Sequence, residues 1–311
     1  MASPIIERSG ASPSWISRAI LAKFLPTFSE FFSIFSLKIR KLPVKIVVET
    51  HGDFIDTIGL EKNLLLPKFY TSLFSYLAKY SIKKADLIRS ISEFTEKQVL
   101  NFGYQGLFVR FPAWINIDNY LNADIKRSYS DTFKIIFVGS VTERKNPKII
   151  IESLETIDGN VSLEIIGQTP NLKYLKELNN LISSSKHAES ITMTPFIKAE
   201  ELISKYSSAN LFILPSKSEG LGRVIIEAQS TACPVLVSSN TGMVDLIIEN
   251  ETGYIFENNN KNDLSNKIQH IMNNYESALQ TGLNSKDFVK ENQSVANFEF
   301  GYKKLIDLVS T

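Results

Sequence analysis

Two carboxylates, Glu219 and Glu227, stand eight positions apart in SKSEGLGRVIIEAQSTA, with Gly220 and Gly222 in the loop beside the first. Such glycines let a backbone approach a ligand closely. The free N–H groups of Leu221, Gly222 and Arg223, at a helix start with its positive dipole end behind them, make a site for a phosphate or diphosphate. Glu227, in the second turn of that helix, can accept two hydrogen bonds from a vicinal diol such as a ribose offers. Local explanations compete: Glu219 can favour the helix N-terminus by its charge alone, and Glu227 can be a solvated helix residue. The run VIIEA predicts burial, however, and a buried glutamate needs a partner, which favours a ligand role for Glu227. Glu219, at the loop lip, would then face the group beyond the phosphates, which in a nucleotide sugar is the sugar.

A second loop, GSVTERKN from Gly139 to Asn146, places Arg144 and Lys145 before another helix start. Cations at such a junction can neutralise a diphosphate. A solvated basic turn accounts for these residues equally well. His51, in ETHGDF at a strand end, reads by itself as a structural histidine.

These loops need strands to hold them, and strand and helix alternate along the chain. VKIVVET, ADLIRSIS and LFVRFP read as strands in the first part, with EFTEKQVLNFG as a helix closed by Gly103. After the polar stretch Asn116 to Thr132, taken as the inter-domain linker, the alternation sharpens. FKIIFVGS, VSLEIIG, SITMTPF, NLFILPS, PVLVSS and GYIF are strands separated by helices; MVDLIIEN is a short helix and KNDLSNKIQHIMNNYESAL a long one. The expected class is α/β with doubly wound parallel sheets, where ligands bind beyond the carboxyl ends of the strands. Residues 1–127 form the first unit and 128–290 the second, with residues 291–311 a helix packing back towards the first. SPIIERS is a candidate strand near the start. Too few strands precede the linker for a complete domain.

Composition narrows the function classes. The 311 residues are 43% hydrophobic and 22% charged with net charge +1, as in an ordinary globular protein, so bulk nucleic-acid binding is not expected. One cysteine, Cys233, fits a reducing, cytoplasmic compartment, and the three dispersed histidines form no metal-ligand spacing. No apolar run is long enough to span a membrane. Ile16 to Leu42, interrupted by Arg18, Lys23, Pro26 and Glu30, reads as two amphipathic helices around Pro26, and Leu66 to Lys84 as another. Packing on a sheet is the favoured role for such helices. Peripheral contact at the inner membrane face is the alternative.

The second half resembles the retaining glycosyltransferases of family 4, which have the GT-B fold of two Rossmann-like domains facing a cleft. The match runs through GSVTERKNPKIIIESL, LEIIGQ and AEELISKYSSANLFILPSKSEGLGRVIIEAQSTACPVLVSSNTGMVDLIIENETGYIF, with Glu219 and Glu227 as the E-x7-E pair. It extends from about Val44 to the C-terminus. The resemblance implies a donor that is a nucleotide diphosphate sugar and an acceptor that is a glycan or lipid-linked glycan. It implies no cofactor and no metal, in keeping with the lack of an Asp-x-Asp motif. Glu227 would bind the ribose and Glu219 the transferred sugar; Gly220, Leu221 and Gly222 would hold sugar and phosphate. Lys145 would stabilise the leaving diphosphate, and His51 would lie near the reacting sugar. Gly139, Ser140 and Arg144 fall in the diphosphate loop and Phe196 in the nucleobase loop. Ser140 stands where the family has Arg, Pro195 where it has Gly, and Asp245 where it has Glu. The family's first strand and its glycine-rich loop have no counterpart, which makes Met1 an internal or truncated start relative to the family and leaves a binding protein without transfer, or an epimerase, as rivals.

Overall fold

The computed structural model describes residues 19–24, 34–35, 41, 44–50, 67–129, 131–242 and 244–310. The candidate strand Ser3 to Ser9 and His51 lie outside them.

Two parallel sheets organise the chain. The first runs in the order β1 (Ala19–Phe24), β2 (Lys45–Thr50), β3 (Leu87–Ser90), β4 (Leu107–Arg110). Side chains on a strand alternate between faces, and the two faces of this sheet have separate cores. Ile46, Val48 and Ile88 join Ile82 of α1 (Pro67–Lys84) and Val99 of α2 (Glu93–Asn101). Val47, Leu87, Val109 and Phe111 pack instead against Leu305, Phe298 and Tyr302 of the C-terminal helix.

The second sheet has the order β10-β9-β8-β5-β6-β7, all parallel. Its strands are β5 (Phe133–Val138), β6 (Val161–Ile166), β7 (Ile191–Thr194), β8 (Leu211–Leu214), β9 (Val235–Ser238) and β10 (Tyr254–Phe256). Helices α3 (Asp118–Leu121), α4 (Lys148–Leu154), α5 (Leu172–Ser184), α6 (Ala199–Ser208), α7 (Arg223–Ser230), α8 (Lys261–Asn273), α9 (Tyr275–Asn292) and α10 (Val295–Ser310) complete the described chain. The central strands β8 and β9 are buried at every residue, as near-continuous apolar runs in a two-sided parallel sheet must be.

Three elements differ from the sequence reading. Within the expected helical stretch Ile16 to Leu42, residues Ala19–Phe24 form a strand paired with β2 from Ala19↔Lys45 to Phe24↔Thr50. A short apolar run fits either period, and here the ladder on β2 decides. Among the described residues of MVDLIIEN, the helical part is the 3₁₀ turn Val244–Leu246. The expected long helix breaks at Asn274, whose side-chain amide donates to the His270 carbonyl oxygen at 2.8 Å, a local bond that competes with continuation of the helix.

The polar stretch before β5 is not bare linker. It holds α3, and Arg127 donates through its guanidinium to the carbonyl oxygens of Ala209, Tyr206, Thr231 and Ala232. Those bonds fix the entry of the chain into the second sheet.

Candidate active site

From β5 the chain winds outward through β6 and β7, then returns to start β8 on the other side of β5. The carboxyl ends of β5 and β8 are therefore the switch point of the sheet, where the following loops part and leave a crevice. The loops that follow these two strands are GSVTERKN and PSKSEGLG. The topology thus joins the two candidate loops, which are far apart in sequence.

Their side chains meet. The Lys145 ammonium forms an ion pair and hydrogen bond with a Glu219 carboxylate oxygen, and Arg144 Nη1 stands 3.7 Å from the same oxygen. Arg144 also donates to the Ser218 carbonyl oxygen at 2.9 Å, and its own carbonyl accepts from Lys217 N–H at 2.8 Å. All three charged side chains are only 12–13% exposed, so their interaction is screened less than that of a surface pair. Asn146 closes the first loop in a left-handed conformation (φ 53°), tied to Thr142 by a 2.9 Å backbone bond.

The second loop ends in a helix start without a side-chain cap. Gly222 is the N-cap of α7 with φ 59°, a conformation glycine adopts without a Cβ penalty. The helix-end N–H groups of α7 are accordingly not covered by a capping side chain. Across the loop, Glu219 bridges to Thr241, and Gly242 N–H donates to the Glu219 carbonyl oxygen at 2.6 Å. Gly242 lies so near Gly220 that a Cβ on it would sit 2.1 Å from the Gly220 carbonyl oxygen. No pattern in the sequence marks this contact.

Glu227 is buried at 5% exposure. Its Oε1 accepts from Arg223 Nε at 2.8 Å and its Oε2 from the Tyr206 hydroxyl at 3.5 Å. Burial raises its pKa; Arg223, and then Tyr206 and Tyr120, oppose the shift. Tyr120, on α3, has its own pKa pushed up to about 12, first by burial and then by the Glu227 charge. The partner that burial demanded is thus supplied within the chain, so burial alone does not require a ligand.

The remaining candidates are spread over the same edge. Gly139 and Ser140 follow β5 directly, Ser140 being exposed. Phe196, after β7, is 74% exposed. Among the described residues no group of three or more His, Cys, Asp and Glu could hold a metal ion, and no helix is long and apolar enough to cross a membrane.

A family model described as glycosyl transferases group 1 matches residues 121–288. An uncharacterized glycosyltransferase of Methanocaldococcus jannaschii is 29% identical over 254 residues, covering 81% of this chain and 65% of its own. The capsular polysaccharide biosynthesis glycosyltransferase CapM of Staphylococcus aureus is 28% identical over 200 residues, 62% of this chain and 50% of its own. The chain therefore spans less than two thirds of either relative. Among solved structures, sucrose-phosphate synthase of Thermosynechococcus elongatus superposes with a TM-score of 0.73 at 19% identity, covering 93% of this chain and 74% of that one. Anabaena HepE in complex with UDP-glucose gives 0.75 at 16% identity, covering 93% and 79%. At such identities the likeness concerns the fold, which is GT-B with two Rossmann-like units.

Proposed function

The chain belongs to the glycosyl transferases of group 1, and from that premise we propose that it moves a sugar from a nucleotide diphosphate sugar to an acceptor hydroxyl, with retention and without a metal. The observation that carries this reading is the meeting of Lys145, Arg144 and Glu219 at the β5/β8 switch point, beside the uncapped start of α7. Glu219 neutralises two cations there. A diphosphate entering the crevice would take over those cations and the helix-end N–H groups, releasing the Glu219 carboxylate to the transferred sugar.

In the reaction the bond from sugar C1 to the diphosphate oxygen breaks, and its electron pair passes to that oxygen. The acceptor oxygen bonds C1 on the same face and its proton passes to the departing diphosphate. Lys145 and Arg144 offset the charge that develops. A ribose diol would displace Arg223, whose side chain is 62% exposed, from Glu227. Gly139, Ser140, Gly220, Leu221 and Gly222 line the diphosphate path, and exposed Phe196 is offered to the base. The acceptor is a glycan or lipid-linked glycan met on the N-terminal unit, with the enzyme in the cytoplasm.

Donor titration followed by product analysis tests the reading. UDP-glucose is the first donor to try, because HepE was solved with it bound; UDP and GDP and their other hexose conjugates follow. Transfer with retained anomeric configuration, undiminished by EDTA, is the expected result. Loss of activity on chelation, restored by a divalent ion, would overturn metal independence. Binding without transfer would return the binding-protein reading.

Glu227→Gln keeps the volume and one acceptor but loses the charge. It should weaken donor binding about tenfold, as expected for one charge-assisted hydrogen-bond pair. Unchanged affinity in calorimetry would remove Glu227 from the site.

A further inference from the structure

The N-terminal unit touches the Glu219–Gly222 loop through one helix end. Ser92 caps α2 by a box in which its hydroxyl accepts from Thr95 N–H while the Thr95 hydroxyl accepts from Ser92 N–H. The same Ser92 hydroxyl reaches the Gly220 carbonyl oxygen at 3.5 Å. One residue on, Glu93 N–H donates to a carboxylate oxygen of Asp245. Both partners lie in the second unit, more than a hundred residues away. They belong to one connected patch, since Thr241 and Gly242 are bonded to Glu219 and Gly242 is packed on Gly220.

Charge suits the contact. A carboxylate at a helix start is favoured by the dipole and by the unpaired N–H groups of the first turn. Glu93 and Glu96 bring negative charge to the same turn. Lys97 pairs with Glu93 at 2.6 Å, and Arg110 stands 3.8 Å from Glu93 and 3.5 Å from Glu96. The acidic first turn is thus offset before Asp245 approaches. Asp245 is exposed, so separation of the units returns it to water and the contact can open and close.

We propose that Asp245 is a positioning residue: by capping α2 across the cleft it holds the N-terminal unit against the Glu219–Gly222 loop and sets the closure at which transfer occurs. The proposal rests on the reading of that loop as the donor loop. Asp245 acts through α2, whose cap residue Ser92 meets the Gly220 carbonyl oxygen.

The test is an interdomain distance, which needs no substrate. Spin labels go on Lys79→Cys in α1 and Lys261→Cys in α8, both exposed, while Cys233 is fully buried and takes no label. Pulsed electron resonance should give one short-distance population in the otherwise unmodified chain. Asp245→Ala should shift weight to longer distances, with Asp245→Asn between the two because its amide oxygen still accepts. Ser92→Ala should shift in the same direction. Identical distributions for all variants would overturn the proposal.

With donor present, Asp245→Ala should lower kcat about tenfold while nucleotide affinity stays within about twofold, a coupling of ordinary size for linked sites. Weakened affinity with unchanged kcat would make Asp245 a donor ligand and overturn the latch. If the unmodified chain binds no nucleotide, the donor reading fails, and the distances still decide whether Asp245 holds the units together.

Discussion

Lys145→Ala is expected to lower kcat by about 10²–10³-fold, the range for removing one preorganised group that stabilises developing charge. Lys145 holds Glu219 in a pocket where both side chains are only 12–13% exposed, so its charge acts in a medium that screens poorly. Arg144 stands 3.7 Å from the same carboxylate and keeps Glu219 compensated in the variant, so the fold should persist. The loss then falls on the leaving diphosphate. Lys145→Arg should recover only part of the rate, because a planar fork cannot replace a compact ammonium at one oxygen. Rates from donor-saturated assays, with melting curves to verify folding, check this. A kcat within threefold of the unmodified protein would assign Lys145 to structure alone.

Arg89→Met should produce the largest loss of stability, about 3–5 kcal/mol, the usual result of stranding one member of a buried ion pair. Arg89 is 1% exposed on β3, in register with Glu49 of β2, which is 0% exposed. Its Nη1 donates to Glu49 at 2.9 Å and to the Tyr302 hydroxyl at 3.2 Å, and Nη2 donates to the Pro112 carbonyl at 3.1 Å. The guanidinium lies 4.0 Å from the centre of the Phe111 ring and 5.1 Å from that of Tyr302. Tyr302 donates in turn to Glu49 at 2.7 Å. Its hydroxyl pKa is raised by burial first and by Glu49, with Arg89 opposing.

This cluster ties α10 to the first sheet, so its loss should lower the urea midpoint of the N-terminal unit. The double variant Arg89→Met, Glu49→Leu removes both charges and should recover most of the loss, since apolar replacement of a whole buried pair is often neutral. A double variant as unstable as the single would show that packing by the arginine, rather than the stranded charge, dominates.

The strand–helix alternation, the loops that bear Glu219 and Lys145, and the burial of Glu227 were all legible in the sequence. Each is a local matter: β-branched runs make buried parallel strands, glycines permit tight loops, and VIIEA is too apolar to be solvated. The sequence also carried the likeness to glycosyltransferases, which a family match over residues 121–288 supports. Local pattern misplaced Ala19–Phe24, where the ladder on β2 outweighed a helical period, and it ran α8 and α9 together through Asn274.

What it could not carry is set by strand order and register. That β8 lies beside β5, bringing Glu219 to Lys145, depends on the crossover through α6. That Tyr206 reaches Glu227 depends on how α6 and α7 pack, whereas Arg223 is the neighbour of Glu227 one turn back on α7. Glu49 opposite Arg89, and Asp245 at the start of α2, join residues 40 and 152 positions apart. Such pairs form because burial leaves a charge or a helix end in need of a partner. The residue type announces that need, and only the tertiary structure names the partner.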